Sequence, residues 1–163
     1  MNHRVLTATQ WMALLLVLSA EPVRCGAPTV NLSAAEIPPG VMITQGTTAQ
    51  GFPYLTGGVS SEEREILEAS RKAYNVQLTF AAKGGAYLSD VNLVLTDAKG
   101  REIIAVKTNG PFFYIQLPPG SYGVSATFQG EAKRLKSLGV PKARTVQQTF
   151  VWNLGEQSVD LKE

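Results

Sequence analysis

Histidine and cysteine, which carry most nucleophilic and metal chemistry in proteins, occur once each in this chain, as His3 and Cys25. Both lie in an N-terminal stretch that reads as a removable export signal, so the mature part has no imidazole and at most a terminal thiol. A Ser-His-Asp triad, a Cys-His pair, and zinc, copper or haem sites built on nitrogen or sulfur all need those groups. No cofactor and no metal are therefore expected. Among carboxylates, Glu62, Glu63, Glu65 and Glu68 lie along one helix, not on the turning backbone that a calcium loop uses. They read as a solvated face that complements the helix dipole. Asp90, Asp97 and Glu102 would be the acids of a carboxylate-dependent hydrolase, but each falls in or beside a hairpin turn. An enzyme is not expected.

Three groups of residues suit binding. Gly57 and Gly58, followed by Val59-Ser60-Ser61, put free N–H groups and two hydroxyls at a helix N-terminus, where an anion can sit; the plainer reading is a turn and a cap. Phe112, Phe113 and Tyr114 are consecutive, so strand alternation turns Phe112 and Tyr114 to one face and Phe113 to the other. Outward aromatics serve as platforms for sugars or peptides, or as packing beneath the helix. Lys133, Arg134 and Lys136, with Lys142 and Arg144 nearby, form a basic patch. It would meet an acidic partner, or it protects an edge strand from pairing with other chains. A covalent alternative is an isopeptide between Lys83 and Asn153, near the ends of the first and last strands.

These residues are positioned by a short helix and a run of strands. Trp11 to Ala20 is an apolar run of ten residues, half of what a spanning helix needs, which fits a cleavable secretory signal within residues 1–27. Val17-Leu18-Ser19 and Cys25-Gly26-Ala27 are both candidate cleavage motifs. Loss of residues 1–27 removes Arg4, Arg24 and Glu21, so the 15 basic and 13 acidic residues become 13 and 12. Such a balance does not attract nucleic acid, and no stable membrane insertion is expected after cleavage. Residues 28–56, rich in Pro, Gly and Thr, read as an extended leader. Ser60 and Glu63 have capping-box spacing, which starts a helix over about Ser61 to Ala73.

After Tyr74 the apolar period changes to two. Val76, Leu78 and Phe80 alternate with polar residues, as do Val91, Leu93 and Leu95. Asp97-Ala98-Lys99-Gly100, Asn109-Gly110-Pro111, Pro118-Pro119-Gly120 and Gln129-Gly130-Glu131 are turns, and strands end with Lys133 to Val140 and Val146 to Trp152. Residues 57–163 thus read as all-β: a seven-stranded antiparallel sandwich with one short N-terminal helix.

The stretch Phe112 to Gly130 (FFYIQLPPGSYGVSATFQG), with the upstream Val91-to-Gly100 hairpin, resembles carboxypeptidase regulatory-like domains, the transthyretin-like sandwiches. The resemblance covers about Asn75 to Trp152. Together with Tyr54-Leu55-Thr56-Gly57-Gly58-Val59, the chain also looks like small exported bacterial proteins of unassigned function that carry this domain. Some transthyretin-like proteins are hydrolases that rely on histidines, which this mature chain lacks. The resemblance implies the sandwich fold and leaves function open, because such sandwiches serve many roles.

The expectation is a periplasmic or secreted, non-enzymatic module that binds an unknown protein, peptide or glycan and no nucleic acid. The alternative is a structural or assembly domain that acts by edge-strand pairing.

Overall fold

The computed structural model describes residues 40–154 of the chain; the expected signal segment, with His3 and Cys25, lies outside the described residues. The fold is mostly β, with nine strands in two sheets and one short helix. The strands are β1 (Thr44–Thr47), β2 (Pro53–Gly57), β3 (Val76–Ala82), β4 (Asn92–Thr96), β5 (Glu102–Lys107), β6 (Phe112–Ile115), β7 (Gly120–Phe128), β8 (Glu131–Val140) and β9 (Val146–Trp152). The helix α1 spans Ser61–Ser70 and tightens into a 3₁₀ turn over Arg71–Ala73.

Two features differ from the sequence expectation. The count is nine strands rather than seven, because the expected leader 28–56 supplies β1 and β2 from its second half. Those segments, TQGT and PYLTG, hold few large apolar residues, so periodicity does not reveal them. They pair with each other, and β2 joins the sheet along β6. Gly46 faces Tyr54 in that hairpin, and a Cβ on Gly46 would lie 2.5 Å from the Tyr54 hydroxyl. The tyrosine ring takes the space a side chain would need.

The second difference is direction. An antiparallel sandwich would have every neighbouring pair run in opposite directions, and six of the seven pairings do, those among β1, β2, β6 and β3 and among β5, β4, β7 and β8. Strand β9 instead lies parallel to β3, from Val76↔Val146 to Ala82↔Trp152. The first sheet is ordered β1-β2-β6-β3-β9 and the second β5-β4-β7-β8.

Alternate residues from both sheets fill the space between them. Phe80, Leu93, Leu95, Phe113, Ile115, Val124 and Trp152 are buried there. Phe80, Phe150 and Trp152 form an aromatic group with ring centroids 6.0 to 6.4 Å apart. The Trp152 indole N–H donates to the Glu131 carbonyl at 3.0 Å, so burying the ring leaves no polar atom stranded. Tyr122 keeps its ring in the core while its hydroxyl donates to the Pro118 carbonyl at 2.7 Å.

Helix α1 lies on the other face of the first sheet. Leu67 packs with Leu55, Tyr74 and Tyr114 in a second, smaller apolar cluster, with Ile43, Ala73 and Phe112 at its margin. Burying a leucine of this kind stabilises by about 2 kcal/mol. Among the described residues no helix is long and apolar enough to cross a membrane.

Candidate binding groove

The helix covers only part of the outer face of the first sheet. Beside it runs a groove of about 340 Å³, walled by Arg64, Leu67 and Glu68 of α1 and Arg71 of the 3₁₀ turn, and floored by β6, β3 and β9. The floor follows from strand register. Tyr114, Gln77 and Gln147 are cross-strand neighbours in one row, and Phe112, Thr79 and Thr149 in the next. Each row thus runs from an aromatic ring beside the helix to a polar side chain on the outermost strand. The opposite faces of these strands carry Leu78, Phe80, Phe113 and Phe150 into the core, so the groove's polarity is fixed by the two-residue period.

The wall is organised by helical spacing, since Arg64, Glu68 and Arg71 fall on one side of α1. The Arg71 guanidinium donates from Nη1 to Glu68 Oε1 at 3.0 Å and from Nε to Gln77 Oε1 at 2.8 Å. The amide of Gln77 donates back to the Arg71 carbonyl at 3.2 Å, a pair of bonds that fixes the buried Gln77. Arg64 is held differently. It donates to the carbonyls of Gly58 and Val59 at 3.2 and 3.0 Å, and its guanidinium lies 5.8 Å from the Tyr87 ring centre. Among the described residues Arg64 has no carboxylate partner.

Aromatic rings form a continuous line along the groove. Tyr87 meets Phe112 at 5.3 Å, Phe112 meets Tyr114 at 6.3 Å, and Tyr114 meets Tyr74 at 6.2 Å. Burial pushes the Tyr114 hydroxyl above its ordinary pKa; Arg71 pulls it down, while Glu68 and Tyr87 push it further up. The hydroxyl therefore stays protonated and can donate a hydrogen bond.

Two of the sequence-derived candidates meet at this site. Phe112 and Tyr114 both line the groove, on the face opposite Phe113, and both also pack beneath the helix. Gly58 does not line the groove but lies against one of its rings: a Cβ there would be 2.3 Å from Phe112 Cδ2. Gly57 and Gly58 precede the helix as expected, but the Gly58 and Val59 N–H groups donate to Glu63 Oε2, each at 2.8 Å. The anion at this helix start is the chain's own carboxylate.

Glu63 thereby corrects the expectation of a solvated acidic face. It is 3% exposed, its other oxygen accepts the Met42 N–H at 2.9 Å, and its own N–H donates to Ser60 Oγ at 3.2 Å. Glu62 and Glu65 are exposed, and Glu68 pairs with Arg71. The capping-box spacing pointed to the Ser60 contact; the reach to Met42 depends on the β1 side of the chain and had no sequence signal.

The remaining candidates lie elsewhere. Lys133, Arg134 and Lys136 sit on β8, the outer strand of the second sheet, and do not line the groove. Lys133 pairs opposite Ala126 and so takes the core-facing phase of β8; it forms an ion pair with Glu131 at 2.5 Å. Lys83 and Asn153 follow the ends of β3 and β9 and are both exposed. Asp97 and Glu102 border a second cavity of about 290 Å³ with Phe52, Arg101 and Tyr122. Asp97 is engaged there, accepting from the N–H groups of Lys99 and Arg101 at 2.8 and 2.9 Å. Asp90 is paired with Lys107 at 2.8 Å. Among the described residues no three His, Cys, Asp or Glu side chains are grouped to hold a metal ion.

Sequence reasoning missed Gln77, Thr79, Gln147 and Thr149. Their polar alternation was visible, but it reads as a plain solvent face until register sets β9 beside β3. In comparisons with known proteins, no family model matches the chain and no curated protein matches it.

Proposed function

We propose that the chain is an exported, non-enzymatic binding module that takes a protein, peptide or glycan ligand in the groove between α1 and the first sheet. The two rows of side chains across β6, β3 and β9 carry this reading. They combine ring faces, amide and hydroxyl groups, and a guanidinium with spare donors, the mixture that orients a ligand without reacting with it. The resemblance to carboxypeptidase regulatory-like sandwiches supports a module rather than a catalyst, as does the lack of histidine after His3. The apolar run Trp11 to Ala20 supports export to the periplasm or outside the cell.

The test is a screen of the mature chain against peptide and glycan arrays, repeated with Thr79→Arg, which fills the floor from an outward-facing position. Binding by the parent chain that is lost in this variant, with an unchanged melting temperature, supports the groove. Binding that survives the change would place the ligand elsewhere. A second reading is assembly through an exposed edge strand, and it is favoured by β9, which ends its sheet and bears no charged residue.

A further inference from the structure

The groove and the free edge of β9 are one continuous surface, because Gln147 and Thr149 belong to both. The Val146 N–H donates to the Asn75 carbonyl and the Trp152 carbonyl accepts from the Lys83 N–H, both at 2.8 Å. These two bonds set the phase of the parallel ladder: even-numbered residues of β9 turn their backbone groups toward β3. Gln147, Thr149 and Val151 therefore turn theirs to the open edge. Among the described residues only the Thr149 carbonyl has a partner there, the side-chain amide of Gln148 at 2.9 Å, an exposed contact that a competing strand would displace. Edge strands commonly carry charges that repel another chain; β9, VQQTFVW, carries none.

Charge along the groove wall and in the loop that leads into β9 is predominantly positive. Arg64 has no carboxylate partner among the described residues, Arg71 shares Glu68, and Lys142 and Arg144 are exposed in the loop that leads into β9. Among the described residues, the groove wall and this loop together carry four cations and one carboxylate. Glu62 and Glu65 are exposed and do not line the groove.

We propose that β9 accepts an extended acidic peptide segment of a partner protein as a tenth strand. The added backbone pairs with Gln147, Thr149 and Val151, and alternate side chains extend the two floor rows by one position. Neighbouring strands lie about 4.8 Å apart, so a glutamate on that face reaches toward the arginine wall. This rests on the binding-module reading and names its ligand class.

The experiment uses the mature chain and a blocked heptapeptide that alternates valine and glutamate, followed by amide NMR and hydrogen exchange. The expected result is saturable binding that slows exchange at Gln147, Thr149 and Val151 by about tenfold or more. Replacing Lys142 and Arg144 together by serine, two exposed loop changes that leave the core intact, should weaken binding about fivefold or more. A peptide N-methylated on its pairing edge keeps the charge and should not bind. Equal binding of the methylated peptide, or no binding of the parent peptide at millimolar concentration, overturns the proposal. If oligogalacturonate shifts Phe112 and Tyr114 without protecting the edge, the groove reading stands and the peptide reading fails. If the edge is already protected in a dimer seen by sedimentation, its occupant is a second copy and the proposal is again overturned.

Discussion

Glu63 reaches back over the first turn of its own helix and accepts the Gly58 N–H at 2.8 Å, which fills an anion site with a residue five positions downstream. The same carboxylate holds Val59 and Met42, so one buried side chain joins the start of α1 to the segment that leads into β1. Glycine at position 58 is needed twice over: its φ is +98°, and Phe112 occupies the space beside its Cα. The candidate binding motif and the helix cap are therefore one device, which also abuts the groove residue Phe112.

Removal of this carboxylate should be expensive for a helix-start residue. Glu63→Ala leaves three backbone N–H groups without their acceptor and is expected to destabilise the domain by about 2–4 kcal/mol. Glu65→Ala, one turn position away and exposed, should change stability by less than about 0.5 kcal/mol. Urea unfolding of both measures the difference, and equal effects would show that the Glu63 contacts contribute little.

Phe150→Ala should cost about 3–5 kcal/mol, since the ring packs against both Phe80 and Trp152 in the core between the sheets. Lys136→Ser, exposed on β8, is expected to stay within about 0.5 kcal/mol. Thermal and urea midpoints read both, and a lysine change as damaging as the phenylalanine one would contradict the assigned strand faces.

Two glycines predict opposite outcomes for the same substitution. A Cβ on Gly110 would stand 2.3 Å from the Gly57 carbonyl oxygen, and backbone cannot step aside as a side chain can. Gly110→Ala is expected to destabilise by about 2 kcal/mol or more. Gly139 has nothing within 4 Å of its would-be Cβ, and Gly139→Ala should be close to neutral. Midpoints of similar size for the pair would mean that the turn at Gly110 relaxes freely.

Acid should loosen the β4–β5 hairpin. The Arg101 backbone N–H, with the Arg101 side chain and the Lys99 N–H, holds the Asp97 carboxyl below the ordinary carboxylate range. A group whose folded pKa is depressed adds stability that is fully present above its unfolded pKa and is lost as pH falls through the folded value. Unfolding midpoints measured downward from neutral pH should therefore decline in the acidic range, and Asp97→Asn should flatten part of that decline. An unchanged slope in the variant would show that Asp97 does not couple to folding.

Strand faces were legible wherever apolar residues alternate, as in Val76-Leu78-Phe80 and Val91-Leu93-Leu95, because a half-buried strand must alternate. The cap was legible in the spacing of Ser60 and Glu63. Register was not, since alternation fixes which face a residue takes and says nothing about its neighbour on the next strand. The Gln77–Gln147 row, and with it the groove, therefore appeared only with the parallel β3–β9 pairing. Strands β1 and β2 escaped notice because their stability comes from pairing with β6 and from Tyr54 over Gly46, not from a run of apolar residues.

Strand β9 completes the sheet beside β3, its partner roughly 70 residues earlier in the chain, and it carries Phe150 and Trp152. A nascent chain that has made β3 must add the whole second sheet before the strand that covers this edge of β3 is complete. The sheet edge at β3 and the aromatic group around Phe80 are therefore completed together, by the last strand among the described residues.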